Sequence, residues 1–116
     1  MGAGLSRGSR GRPVTAPPGF DPVIHAPARL QLAALLASVS DMEFGTARDT
    51  LNVSDSVLSK HLSQLKDAGY VKLRKAALAG RQRTWLSLTP AGRSALRQHI
   101  KALEALVALA DRPLSE

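Results

Sequence analysis

The sequence has no cysteine. Disulfides, iron–sulfur clusters and cysteine-based zinc sites are therefore excluded. Aromatic residues are scarce, with one Trp, one Tyr and two Phe. A core made from Leu, Ala and Val suits packed helices. No apolar run approaches the roughly 18 residues of a membrane span. Arg7, Arg10 and Arg12 are not followed by the apolar stretch of a secretory signal, so a cytoplasmic chain with no membrane partner is expected. Gly2, Gly4, Gly8 and Gly11 sit in the N-terminal stretch and not between a strand and a helix, which excludes a phosphate-binding loop. The serines lack a nearby His–acid arrangement, so no catalytic residue is assigned and the chain is not expected to be an enzyme. The histidines are His25, His61 and His99, and no two have ligand spacing on one helix face. No metal or cofactor is expected. His99 with Asp111 or Glu104 across a dimer is the one metal arrangement left to consider.

Acidic residues are the other shortage. Sixteen Lys and Arg stand against nine Asp and Glu, a net charge of +7 in 116 residues. That balance favours an anionic partner, nucleic acid before membrane. The charge is uneven. Residues 60–101 hold ten Lys and Arg against the single acid Asp67, whereas residues 30–59 hold only Arg48 against four acids. A chain of this length makes one small domain with at most a tail. Residues 1–19 are Gly, Ser, Arg, Pro and Ala and read as a disordered basic tail. The folded domain is expected over 20–112.

The most informative stretch runs from Asn52 to Val71. Ser54 is an N-cap candidate, its hydroxyl able to accept from a first-turn N–H that has no helical partner. Asp55 follows where a negative charge suits the helix dipole. Leu58, Leu62 and Leu65 make one apolar stripe, and Gly69 stops the helix. The outer face is Ser56, Ser59, Lys60, Ser63 and Gln64. These short donors and acceptors, with little carboxylate, have the chemistry that reads base edges and phosphates.

Around that helix the chain reads in order. Pro27 fits the first turn of a helix whose apolar positions, from Ala28 to Val39, are Leu32, Leu35, Leu36 and Val39, widened by Leu30. Met42-Glu43-Phe44 is a minimal strand or the start of the next helix. Gly45–Leu51 is a short helix with Phe44, Ala47 and Leu51 inward and Thr46, Arg48, Asp49 and Thr50 outward. Asn52-Val53 then turns tightly into the helix at Ser54, which is helix-turn-helix spacing. Residues 70–75 and 84–89 each alternate. Val71, Leu73, Leu86 and Leu88 are expected on one inner face, with a Gly-containing basic loop from Ala76 to Arg83 between the strands, making a hairpin. Thr89-Pro90 starts a last helix reaching about Ala110. Its apolar band of Ala95, Leu96, Ile100, Leu103, Leu106, Val107 and Ala110 exceeds what a small domain covers, so a second copy is expected on it.

The segments "VSDSVLSKHLSQLKDAGYVKLRK", "GRQRTWLSLTPAGRSAL" and "FDPVIHAPARLQLAALL" resemble, in this order, bacterial winged helix-turn-helix regulators of the MarR, ArsR and PadR-like groups, and the small stand-alone ones above all. The resemblance covers residues 20–110. It implies a mainly α fold with a small β-hairpin wing and a long C-terminal dimerisation helix at 90–110. It implies a homodimeric transcriptional regulator of double-stranded DNA, usually a repressor. By position, Ser56, Ser59, Lys60 and Gln64 would face bases. Ser54 and Asp55 cap the helix and reach toward DNA, and Thr46 and Arg48 contact phosphates. In the wing Arg81 and Arg83 lead, with Lys75 and Gln82 behind them. Leu96, Ile100, Leu103, Leu106, Val107 and Ala110 would form the dimer interface. His61, at the edge of the buried stripe, reads as a half-buried structural residue. Trp85 reads as a wing-strand residue packed on the core or the second copy. Two alternatives stay open: a winged-helix module that docks a protein without binding DNA, and a regulator answering to an unknown small molecule or metal.

Overall fold

The computed structural model describes residues 18–113. The basic stretch with Arg7, Arg10 and Arg12 lies outside them. The elements are α1 (Pro22–His25), α2 (Pro27–Ala37), β1 (Met42–Glu43), α3 (Phe44–Leu51), α4 (Asp55–Asp67), β2 (Val71–Leu78), β3 (Arg81–Leu88) and α5 (Pro90–Ala110). The sheet is antiparallel in the order β1-β3-β2. The mainly α fold with a hairpin and a long last helix is as the sequence led one to expect. Among the described residues no helix is long and apolar enough to cross a membrane.

One core joins the helices to the root of the hairpin. Leu32, Ala33 and Leu36 of α2, Ala47 of α3, Leu58, Leu62 and Leu65 of α4, and Val71, Leu86 and Leu88 of the sheet are buried together with Ile24 and Leu96. The expected stripes of α2 and α4 are thus the faces that close. α2 ends two residues earlier than the apolar spacing predicts. The Ser38 hydroxyl and N–H both turn back to the Leu35 carbonyl. The Arg93 guanidinium takes the carbonyls of Ala37 and Val39, both at 3.0 Å. These freed carbonyls gain a charged donor from α5, so the last helix fixes where α2 stops.

Met42-Glu43 resolves as a strand. Met42 pairs with Leu86 and Glu43 with Trp85. α3 closes at Asn52, whose φ of 56° lies in the left-handed region. Asn tolerates that conformation better than most residues, and it turns the chain into the Ser54 cap. The Ser54 Oγ accepts from the Val57 N–H at 3.2 Å.

The hairpin is longer than the alternation indicated. β2 and β3 pair continuously from Val71–Leu88 to Leu78–Arg81. The connection is therefore Ala79-Gly80 alone and not the whole of 76–83. Both residues have positive φ, 54° and 76°, which is the two-residue turn whose twist matches paired strands. Ala76-Ala77-Leu78 carries little alternation to read, and cross-strand hydrogen bonding decides its conformation. Leu73 faces the same side as Val71, Leu86 and Leu88 but lies past the edge of the core and is 40% exposed.

α5 starts at Thr89, whose Oγ1 accepts from the Gly92 N–H at 2.9 Å. Gly92 is buried, and a Cβ there would overlap the Tyr70 carbonyl. Tyr70 in turn donates its hydroxyl to Asp21, which with partial burial pushes the phenol up to about 12. The Asp21 N–H donates to His99 Nδ1 at 2.8 Å. The second nitrogen of His99 lies 3.2 Å from His25 Nδ1. His99 is fully buried in this network. Burial first and the His25 ring second lower its pKa, partly opposed by Asp21.

Candidate nucleic-acid interface

The interface is built from α3, the Asn52-Val53 turn, α4 and the hairpin. Burying Leu58, Leu62 and Leu65 turns the opposite side of α4 outward. Ser56, Ser59, Lys60, Ser63 and Gln64 are all exposed there. Ser54 is exposed but occupied as the N-cap. His61 is half-buried, with Nδ1 3.4 Å from the Arg29 guanidinium of α2. Burial, then Arg29 and Lys60, depress its pKa. A neutral ring tied to α2 fits a positioning role.

Beside α4 runs a cleft of about 490 Å³ leading to the hairpin. Phe44, Leu62 and Leu73 make its floor, Ser59, Ser63 and Thr84 add hydroxyls, and Lys66 and Lys75 add positive charge. Lys66 and Thr84 were not singled out in the sequence. Lys66 was hidden because it lies in the last turn, where a cation is already explained by the helix dipole.

Strand register divides the wing residues. Residues directly opposite in an antiparallel pair share a face. The pairs Lys75–Thr84 and Leu73–Leu86 put Lys75 on the cleft side, and Ala77–Gln82 puts Gln82 there too. Arg81, Arg83 and Arg74 occupy the other face with Trp85. The Arg74 guanidinium stands 6.0 Å over the Trp85 ring. Lys75 and Gln82, ranked second to the arginines in the sequence, thus share the face on the cleft side, and Arg81 and Arg83 share the opposite one.

Several cations are already engaged by acids that the sequence reading had not paired. Arg48 reaches Asp49 through Nε and Asp55 through Nη1, each at 2.9 Å. The hydrogen bonds to Asp49 and then Asp55 raise the Arg48 pKa, and the Arg48 bond lowers that of Asp49. Arg83 lies 3.4 Å from Glu43, and Arg74 lies 2.8 Å from Asp41. Asp49 is the neighbour of Arg48 in α3, whereas Asp55, Glu43 and Asp41 lie outside the element of the arginine they meet, and no short-range spacing rule reveals those three. Thr46, Lys75, Arg81 and Gln82 are exposed and take no part in these ion pairs.

The residues expected at a dimer interface divide as well. Leu96 is 5% exposed and belongs to the protomer's own core, packed with α2 and the sheet. Leu96 is therefore not free for a second copy, because the last helix covers its first turns with its own domain. Leu103 is half-buried, and Ile100, Leu106, Val107 and Ala110 are exposed. Leu109, exposed at 57%, was not among the expected residues.

The profile of the winged helix DNA-binding domain family matches residues 28–107. An uncharacterized protein of Methanocaldococcus jannaschii is 31% identical over 78 residues, spanning 67% of this chain and 85% of that protein. A transcriptional regulator homologue from Pyrococcus horikoshii superposes with a TM-score of 0.73 at 24% identity, covering 78% of this chain and 89% of that one. FabT from Streptococcus pneumoniae, solved in complex with DNA, superposes with a TM-score of 0.56 at 22% identity, covering 75% of this chain and 60% of that one. At these identities the two solved structures speak for the fold. The family match takes in the helix-turn-helix, the hairpin and nearly all of α5, and on that ground the chain belongs to the winged helix DNA-binding domain family.

Proposed function

We propose that this protein is a transcriptional regulator, a repressor, that binds a palindromic site in double-stranded DNA as a homodimer. The observation that carries the reading is the outward face of α4. Ser56, Ser59, Lys60, Ser63 and Gln64 are exposed together while the opposite stripe is sealed. Such a face enters the major groove and offers small hydrogen-bonding groups to base edges. The hairpin then follows the flanking backbone, with Lys75 near α4 and Arg81 and Gln82 toward the tip. The exposed end of α5 supplies the contact between copies. Two α4 helices would be spaced about 34 Å apart, roughly one DNA turn. The activity is binding, and no effector is assigned.

Selection of bound duplexes from a random pool, followed by gel shifts on the recovered motif, tests this. A two-fold symmetric motif is expected, with affinity falling steeply as salt rises. No shift at low salt would refute the reading and favour the protein-docking alternative.

A further inference from the structure

We infer that Asp55 is a specificity-determining residue that selects cytosine in each half-site, with Arg48 as its positioning residue. The inference rests on the DNA-binding reading above and adds to it the base that one side chain recognises. Asp55 is the first residue of α4, and the N-terminal residues of a recognition helix are those that contact base edges. Its carboxylate is 70% exposed. It is not needed as a cap, because Ser54 holds the Val57 N–H. Arg48 engages Oδ1 alone, at 2.9 Å. The same guanidinium is pinned from the other side by Asp49. One cation between two carboxylates leaves the group with a net negative charge at the leading end of the helix.

That charge restricts what can lie opposite. A carboxylate is repelled by phosphate and by the acceptors that guanine and thymine display in the major groove. Adenine offers an amino group, but its N7 acceptor sits beside it and opposes the second carboxylate oxygen. Cytosine offers its N4 amino group with no neighbouring acceptor. The base that an outward carboxylate selects is therefore cytosine. Arg48, anchored on α3, holds the carboxylate against the rotations that would let it turn from the base.

The test is duplex selection with the full chain and its Asp55→Asn and Arg48→Lys variants, followed by competition gel shifts. Wild type is expected to show one cytosine per half-site whose replacement weakens binding by about 5- to 150-fold. Asp55→Asn is expected to move the preference at that position alone to adenine, because an amide pairs with N6 and N7 together. Arg48→Lys, which keeps a cation in reach of Asp55, is expected to retain cytosine. An unaltered motif in Asp55→Asn, with affinity shifted equally for all sequences, overturns the inference and leaves the DNA-binding reading standing. Failure of wild type to recover any motif overturns both. Should Asp55→Asn fold poorly by circular dichroism, Asp55→Ser replaces it. Loss of the cytosine preference in that variant supports the assignment, and its retention overturns it.

Discussion

Val107→Glu is the sharpest probe of whether this chain pairs with itself. The buried stripe of α5 runs through Gly92, Leu96, His99 and Ala102. At 3.6 residues per turn Leu103, Leu106 and Ala110 continue it, with Val107 on its flank. From Glu104 to Ala110 every residue is exposed, so about 10 Å of helix projects with its apolar side uncovered. Ile100 is 40% exposed, Leu106 39% and Val107 59%. That amounts to about one and a half aliphatic side chains per protomer, and burying a whole one contributes roughly 1.5–3 kcal/mol. A symmetric pair thus gains ~4–8 kcal/mol against an association cost of ~4–15 kcal/mol. The terms are close, so a small loss decides the state. Removing Val107 from both copies forfeits ~2–3 kcal/mol, a ~30- to 150-fold weaker association, before the cost of burying a carboxylate. Sedimentation equilibrium is expected to show a wild-type dimer and a Val107→Glu monomer at micromolar concentration. The thermal melt of the monomeric fold should hold, because Val107 is outside the core. A variant that dimerises with the wild-type constant would refute the reasoning.

The structure supports further predictions. Arg81→Ala should reduce the slope of log affinity against log salt by about one phosphate contact, with a smaller effect for Arg83→Ala, whose guanidinium is already spent on Glu43. Equal slopes would contradict that ranking. Gly92→Ala should cost at least ~1–3 kcal/mol in a urea melt, since its Cβ meets backbone at Tyr70. Ala79→Asn should stabilise by up to ~1–2 kcal/mol, because Asn accepts the positive φ that Ala bears at a cost. A lower melting temperature would argue against the turn. The buried His99 has a pKa below its ordinary 6.5. The unfolded chain therefore takes up a proton that the native state refuses, and stability should fall as pH drops through 6.5 toward the lowered native value. His61 adds to the same trend. Urea melts at pH 7.5 and 5.5 on wild type and His99→Asn should show the slope shrink in the variant.

Local chemistry carried much of the fold into view. Ser54 and Thr89 are caps because a hydroxyl before a helix finds a free N–H nearby, whatever the rest of the chain does. The Leu58-Leu62-Leu65 stripe has one buried solution, and sealing it turns the serines, Lys60 and Gln64 outward. Those residues were legible because a helix sets both faces at once. What depended on distant partners was not legible. Arg93 ends α2 from 54 residues away. Hairpin register sends Arg81 and Arg83 to one face and Lys75 to the other. Glu43 and Asp55 draw charge from arginines that seemed free. Leu96 left the expected interface because α2 and the sheet reach it first. The sequence by itself determined the main helices, the root of the hairpin and which side of α4 faces out, since periodicity and capping are short-range. Only tertiary structure decided which cations remain available, which apolar residues remain uncovered and where Asp55 points its charge, since each of these depends on what the fold brings alongside.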